Sequence, residues 1–301
     1  MAGDAPRILA HGVLGHMQSA DGTPVRYALD VGGSSIPLND LLGRDVTVRF
    51  VGRITCGYCG AMTRKSYGDG YCYDCFKTLA RCDLCVVSPD RCHYAAGTCR
   101  EPEWGDAFCM QPHFVYLANS AGPKVGITRP QNVPMRWLDQ GATQGMLVMR
   151  TQTRHQAGCV EVALAHYVGD RTDWRGLVGR AAPPIDLAAL LAQLRDRAKL
   201  ELAALDARFP SALEWIESPA PRSFEYPVTS YDGAATVLSL MVDRPIGGTL
   251  LGIKGQYLLF DTGVLNVRRF TSYHVEVAHA DPVERARVGS VAGARDQMEL
   301  F

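Results

Sequence analysis

The sequence has no excess of charge of either sign: 31 lysines and arginines balance 31 aspartates and glutamates. That balance argues against the broad basic field with which many DNA- and RNA-binding chains capture a phosphate backbone. No apolar run approaches the about eighteen residues of a membrane-spanning helix. The opening Met1-Ala2-Gly3-Asp4 lacks the charged and then apolar layout of a secretion signal. A cytoplasmic chain with no membrane partner is therefore expected. Cysteine is all but missing outside one stretch, since only Cys159 of the ten lies beyond residues 56–109. In a reducing compartment, thiols gathered this way read as metal ligands before they read as disulfides. What remains is a globular composition: 301 residues, 47% hydrophobic, can bury a sizeable core shared among two or three subdomains.

The cysteines arrive as Cys56-x2-Cys59, Cys72-x2-Cys75 and Cys82-x2-Cys85, followed by Cys92, Cys99 and Cys109. A Cys-x2-Cys turn points two sulfurs inward from one knuckle, and two such turns can surround a tetrahedral ion with four thiolates. Cys56, Cys59, Cys72 and Cys75 therefore predict a zinc ribbon. For a second ion the sequence offers Cys82, Cys85, Cys92, Cys99 and Cys109 with His93 and His113, more donors than one tetrahedral site needs. Zinc suits mixed sulfur and nitrogen donors without redox chemistry, so one or two zinc ions are expected. An iron–sulfur cluster on four of the later cysteines is the alternative that spacing leaves open. Cys159 reads as a small core residue. From Arg44 to Arg81 basic residues (Arg44, Arg49, Arg53, Arg64, Lys65, Lys77, Arg81) outnumber acidic ones (Asp45, Asp69, Asp74), which suits either a phosphate-facing side of the ribbon or a solvated surface.

The fold class expected is α+β. Residues 1–54 carry strand patterns, notably Val25 to Asp30 and Val46 to Val51, broken at Asp21-Gly22 and Gly32-Gly33. Residues 231–280 repeat the layout, with Tyr257 to Asp261 and His274 to Val277 as the counterparts. Two half-sheets from opposite ends of the chain are expected to pair into one small barrel or sandwich. Residues 55–113 then form an inserted cysteine-rich module and 114–178 a second insertion. Within residues 179–230, Asp186 is a good N-cap for a helix whose Leu187, Leu190, Leu191, Leu194, Ala198, Leu202 and Leu205 form one packing face. Residues 210–228, with four prolines (Pro210, Pro219, Pro221, Pro227), read as a linker, and 281–301 as a loosely held tail.

Directly after the cysteines, Phe114 to Ala118 and Lys124 to Thr128 predict a hairpin. A helix around Met135 to Leu138, a strand over Met146 to Thr153 and a helix from about Gln156 to Val168 follow. This order, carrying Tyr116, Gly126, Arg136 and Glu161, resembles the GIY-YIG nuclease superfamily, closest to branches whose second strand reads Lys-Ile-Gly. Over its whole length the chain resembles a family of uncharacterised prokaryotic proteins. That likeness rests on Cys92-His93, Gly97-Thr98-Cys99-Arg100, Lys124 to Arg129, Arg136 to Ala142 and Gly255-Gln256-Tyr257-Leu258.

The superfamily resemblance implies hydrolysis of a phosphodiester, which requires an activated water, a cation against the developing phosphate charge and a divalent metal. By position it assigns Tyr116 to the water, Arg136 to the phosphate and Glu161 to magnesium. Lys124 stands where the superfamily often has a second tyrosine; it either substitutes as a phosphate contact or marks a site that binds without cutting. The resemblance thus implies a nucleic-acid partner, DNA or RNA, for a zinc-binding protein that is either a magnesium-dependent endonuclease or a non-catalytic binding or regulatory module. A metal–thiolate or iron–sulfur redox sensor is the third reading. Arg150, Gln152 and Arg154 alternate and are expected to share one strand face suited to tracking a backbone. Tyr257, Arg268, Arg269, Phe270 and Tyr273 offer a further surface for single-stranded nucleic acid, or else core aromatics. His113, one residue before the Tyr116 strand, is expected to let metal binding fix that strand.

Overall fold

The computed structural model describes residues 6–168, 174–233 and 236–280. The N-terminal end supplies β1 (Arg7–Ala20), β2 (Arg26–Val31), β3 (Ser34–Pro37) and β4 (Asp45–Ile54). Three short helices cross the cysteine-rich stretch: α1 (Tyr73–Thr78), α2 (Leu84–Val87) and α3 (Pro102–Phe108). Then come β5 (His113–Asn119), β6 (Pro123–Thr128), α4 (Met135–Asp139), β7 (Gln144–Thr151) and α5 (Arg154–Ala165). Helices α6 (Trp174–Gly179), α7 (Leu187–Arg197) and α8 (Lys199–Arg208) lead to β8 (Leu213–Trp215) and β9 (Arg222–Ser223). The chain returns through β10 (Ile246–Lys254), β11 (Tyr257–Phe260), β12 (Gly263–Asn266) and β13 (Tyr273–Ala280).

The two chain ends do combine, as the paired patterns predict. Eight antiparallel strands run in the order β12-β11-β10-β4-β13-β1-β2-β3, so β13 lies between the N-terminal strands β4 and β1. Alternation drives the pairing: Tyr27, Leu29 and Val31 of β2 and Val46, Val48 and Phe50 of β4 turn inward while their neighbours face out. Gly32 and Gly33, both at positive φ, make the tight turn into β3, and Asp30 Oδ1 accepts from the Gly33 amide at 3.0 Å.

The barrel expected from the sequence does not close. β12 and β3 are edges of an open sheet that bends along β1, whose first half pairs with β13 and whose second half pairs with β2. One side chain ties the β10–β11 turn to β1: Gln256 Oε1 accepts from the Met17 amide at 3.1 Å and its Nε2 donates to the Met17 carbonyl at 2.9 Å. Both backbone groups are thereby satisfied without another strand.

The second sheet is β6-β5-β7-β8, with β9 also on β7, again antiparallel. One face, with Val115, Leu117, Val125 and Ile127, packs under Val160 and Leu164 of α5 and under Leu187, Leu191 and Leu194 of α7. The single leucine stripe is thus a packing face, although the helix breaks at Ala198 into α7 and α8. Asp186 caps α7 as expected, accepting from the amides of Ala188 and Ala189 at 3.0 and 2.9 Å. The other sheet face, with Tyr116 and Ala118, joins the core of the large sheet through Trp137 and Leu138. Residues 210–228 are not a free linker: β8 and β9 extend this sheet, and Phe224 is buried. The expected tail, 281–301, lies outside the described residues. Among the described residues no helix is long and apolar enough to cross a membrane.

Candidate metal centre and the Tyr116 cluster

The sulfurs of Cys56, Cys59, Cys72 and Cys75 all lie within 4.8 Å of one another, and those of Cys59 and Cys72 are 3.8 Å apart. Local backbone explains the convergence. The first knuckle closes with the Gly60 amide on the Cys56 carbonyl at 2.9 Å, Gly60 taking positive φ. The second is the start of α1, where extended Cys72 turns into helix and its carbonyl accepts from the Phe76 amide at 2.9 Å. Burial pushes the Cys56 thiol up, but amides of Cys59, Cys72 and Tyr58 together with the Cys59 thiol outweigh it and bring the pKa down to about 6. Cys75 is pushed up by burial and by hydrogen bonds with the neighbouring thiols. Four sulfurs at contact distance, one already favoured as thiolate, fit a tetrahedral zinc ion.

The ribbon is anchored to the C-terminal segment. Ser272 Oγ donates to the Gly70 carbonyl at 2.8 Å, the Thr55 amide donates to the Ser272 carbonyl at 3.1 Å, and Arg268 grips Asp69 through Nε and Nη2 at 2.8 and 2.6 Å. The link from metal to the Tyr116 strand that His113 suggests is absent from these contacts. His113 is buried, its Nδ1 bonds the Gln111 carbonyl at 2.8 Å, and burial lowers its pKa to about 4. Among the described residues it belongs to no group of donors close enough to hold an ion.

The later cysteines do not form a second such centre among the described residues. Cys82 packs beside the first four, with burial raising it to about 11. Cys85 is raised to about 11 by burial and by the charges of Asp83, Cys92, Cys109 and Cys99, so these sulfurs share a neighbourhood without a four-sulfur contact set. The donors that do approach within 4.8 Å there are Asp83, Cys85 and His93. Asp83 is already engaged, by Arg100 Nε at 2.8 Å, by the Leu84 amide at 2.6 Å and by His93 Nε2 at 3.3 Å. That arrangement is an ion-pair and helix-cap network.

The hairpin β5–β6 places Tyr116 opposite Gly126 and Ala118 opposite Lys124, so Tyr116 and Lys124 share a sheet face. A Cβ on Gly126 would collide with the Tyr116 ring and hydroxyl, which explains the glycine. Tyr116 is fully buried; its hydroxyl donates to Gln140 Oε1 at 2.8 Å and its ring meets Trp137 edge-on at 6.0 Å. Burial raises its pKa, against the charge and hydrogen bond of Arg136, while the negative charge of Glu161 adds to the rise. Arg136, half-buried on α4, keeps a buried Nε with no hydrogen-bond partner among the described residues. Lys124 is buried and Glu161, on α5, is half-buried.

Tyr116, Arg136 and Glu161, at least twenty residues apart in sequence, are thus brought into one electrostatic neighbourhood. Sequence reasoning missed its other members. Asp139 is raised by burial, accepts from Ser19 Oγ at 2.8 Å and feels Arg136, His16 and Arg268. Asp139 and Gln140 sit inside the Arg136 to Ala142 stretch, but His16, Ser19 and Asp69 come from distant segments without a local signal, and Arg268 reads in the sequence only as part of a different surface.

The four-cysteine site and the Tyr116 strand fall within one relationship, with His16 and Ser19 outside it. Residues 43–275, from the start of β4 through the ribbon and Tyr116 cluster into β13, match the model of a family described as a protein of unknown function, DUF2797. The chain belongs to the DUF2797 family. Neither a curated protein nor a solved structure matches it. In this DUF2797 chain, the shared strand face expected of Arg150, Gln152 and Arg154 does not form, because β7 ends at Thr151. Arg150 pairs with Glu214 at 3.1 Å, whereas Arg154 begins α5 and donates to the carbonyls of Cys85 and Val86 at 3.2 and 2.7 Å. The aromatic surface expected around Tyr257 to Tyr273 is largely core: Phe270 is buried, and Tyr273 packs on Phe50 and Phe270 at 4.9 and 5.3 Å.

Proposed function

We propose that this DUF2797 protein is a zinc-supported nucleic-acid-binding module on a GIY-YIG-like arrangement, with Arg136 as a phosphate contact and without phosphodiester cleavage. The observation that carries the phosphate contact is Arg136 itself. A half-buried guanidinium that hydrogen-bonds Tyr116 and still keeps one nitrogen without a partner has donor capacity left for an anion. The GIY-YIG-like reading draws support from the order hairpin, helix, strand, helix and from Tyr116, Arg136 and Glu161 lying in one electrostatic neighbourhood. Burial of Tyr116 favours the binding reading over the endonuclease. A phenol with no exposed surface, its proton donated to Gln140 and its pKa raised, is poorly placed to activate water. Glu161 would be the residue to hold magnesium were cleavage to occur, and water on that ion would supply the nucleophile.

The test is binding of labelled single- and double-stranded DNA and RNA, with magnesium present, by the protein and by Arg136→Ala and Arg136→Lys. Loss of about tenfold or more in affinity in Arg136→Ala, at unchanged zinc content and melting temperature, is expected. Equal affinity in all three proteins would remove Arg136 from the site.

A further inference from the structure

The surface of the ribbon carries tyrosines and cations in pairs. Tyr58 and Tyr73 sit within the two knuckles and are 55% and 53% exposed, and Met62 between them in sequence is 74% exposed. An exposed large side chain alone says little, whereas rings and cations gathered together mark a surface that can take a partner. Each ring has a cation over it: Arg81 lies 5.5 Å from the Tyr58 centroid and Lys77 5.4 Å from that of Tyr73. Tyr73 also meets Tyr67 at 5.4 Å, and Lys65 lies 5.2 Å over Tyr67, giving a continuous row Lys65, Tyr67, Tyr73, Lys77. The acidic residues of the segment do not cancel this charge, because Asp69 is held by both arms of Arg268 and only Asp74 remains beside the row.

We infer that these exposed pairs form a stacking platform for single-stranded nucleic acid, RNA or DNA, with bases on Tyr58 and Tyr73 and the backbone along Lys65, Lys77 and Arg81. The chemistry selects that partner. An exposed ring offers a π-face to any unpaired base, and a cation within about 6 Å of the same ring stands where the attached phosphate runs. A duplex keeps its bases stacked inside and can use only the cations. The inference rests on the nucleic-acid reading above but not on Arg136, which lies on α4 and not on the ribbon.

The experiment measures binding of a fluorescent ten-nucleotide RNA, the same DNA sequence and its duplex to the zinc-loaded chain and to Tyr73→Ala, Tyr58→Ala, Lys77→Ala, Arg81→Ala and Arg136→Ala. Zinc content and melting temperature show that each variant is folded. Tyr73→Ala and Tyr58→Ala are expected to weaken single strands about tenfold and the duplex little. Lys77→Ala and Arg81→Ala are expected to lower the single-strand salt slope by about 0.7 each. The RNA and DNA arms decide which strand is preferred. Single-strand affinity unchanged in the folded tyrosine variants, or no single-strand binding alongside tight binding of a polyglutamate peptide, would overturn the platform. Loss in Arg136→Ala alone would sink the platform and leave the α4 site standing; loss in the ribbon variants alone would do the reverse.

Discussion

The Tyr116 cluster and the surface of the ribbon are made of the same parts, tyrosines beside cations, yet they stand in opposite surroundings. Tyr116 is sealed between two sheets, its hydroxyl committed to Gln140 and its cation, Arg136, partly desolvated. Tyr58 and Tyr73 stand in solvent with their cations exposed. Identical chemistry therefore has different capacities. In the interior, the charge is costly to leave unpaired and the phenol is held neutral. On the ribbon, desolvation is small, and ring faces and charges are available to a partner at little cost.

The most damaging perturbation should be on the ribbon side, because that surface is built around the four-cysteine site and has only a small apolar cluster of Cys56, Cys75 and Leu79 beneath it. Cys72→Ser is expected to lose one equivalent of zinc and to make residues 55–80 sensitive to protease, since structural zinc contributes on the order of 10 kcal/mol to such modules. Mass spectrometry of the intact metal-bound protein and limited proteolysis report both. The same substitution should leave β5 and the Tyr116–Gln140 bond in place while releasing Asp69 from Arg268, because the ribbon is fastened to the segment around Arg268 and Ser272 and not to β5.

The interior should respond to volume. Gly126→Ala forces a methyl into the Tyr116 ring, and a loss of about 2–3 kcal/mol is expected in denaturant unfolding. An unchanged unfolding midpoint would mean that the ring can move aside.

A third contrast concerns an interior cation with no ligand role. Lys254 is fully buried, with Nζ on the Arg180 carbonyl at 3.4 Å and the rings of Tyr226 and Tyr231 each 5.7 Å away, and burial lowers its pKa to about 8. The unfolded chain binds this proton up to its ordinary pKa of 10.5, so between about pH 8 and 10.5 the unfolded state holds more protons than the folded one. Stability referable to Lys254 is thus fully present above that range and is lost as pH falls towards 8. The difference in unfolding free energy between Lys254→Met and the natural chain should shrink by on the order of 2 kcal/mol as pH rises from 8 to 10. A difference independent of pH would place the amine in water.

The smallest effect is expected of Tyr116→Phe. It removes the hydroxyl's bonds with Gln140 and Arg136, a cost of about 1 kcal/mol with binding unchanged.

The sequence made legible what short spacing controls. The two knuckles, the β5–β6 hairpin, the capped leucine-striped helix and the pairing of the chain ends all follow from local periodicity or turn residues. The missing features depend on distance. The sheet stays open between β12 and β3, and the tie of Gln256 to Met17 spans 239 positions that no local pattern reveals. β8 and β9 are too short, and too close to prolines, to register as strands. The ribbon surface depends on Arg81 lying over Tyr58, a pairing that only the folded knuckles create. Likewise, His113 looked like a ligand because of its place in the sequence, whereas its nitrogen is spent on a carbonyl two residues away.

The contrast between sealed and open tyrosines is tested most directly by following one labelled single strand, with zinc-loaded protein and magnesium, for binding and for length in the same tube. The account predicts saturable binding with the strand intact. Magnesium-dependent shortening that disappears in Glu161→Ala and Tyr116→Phe would contradict it.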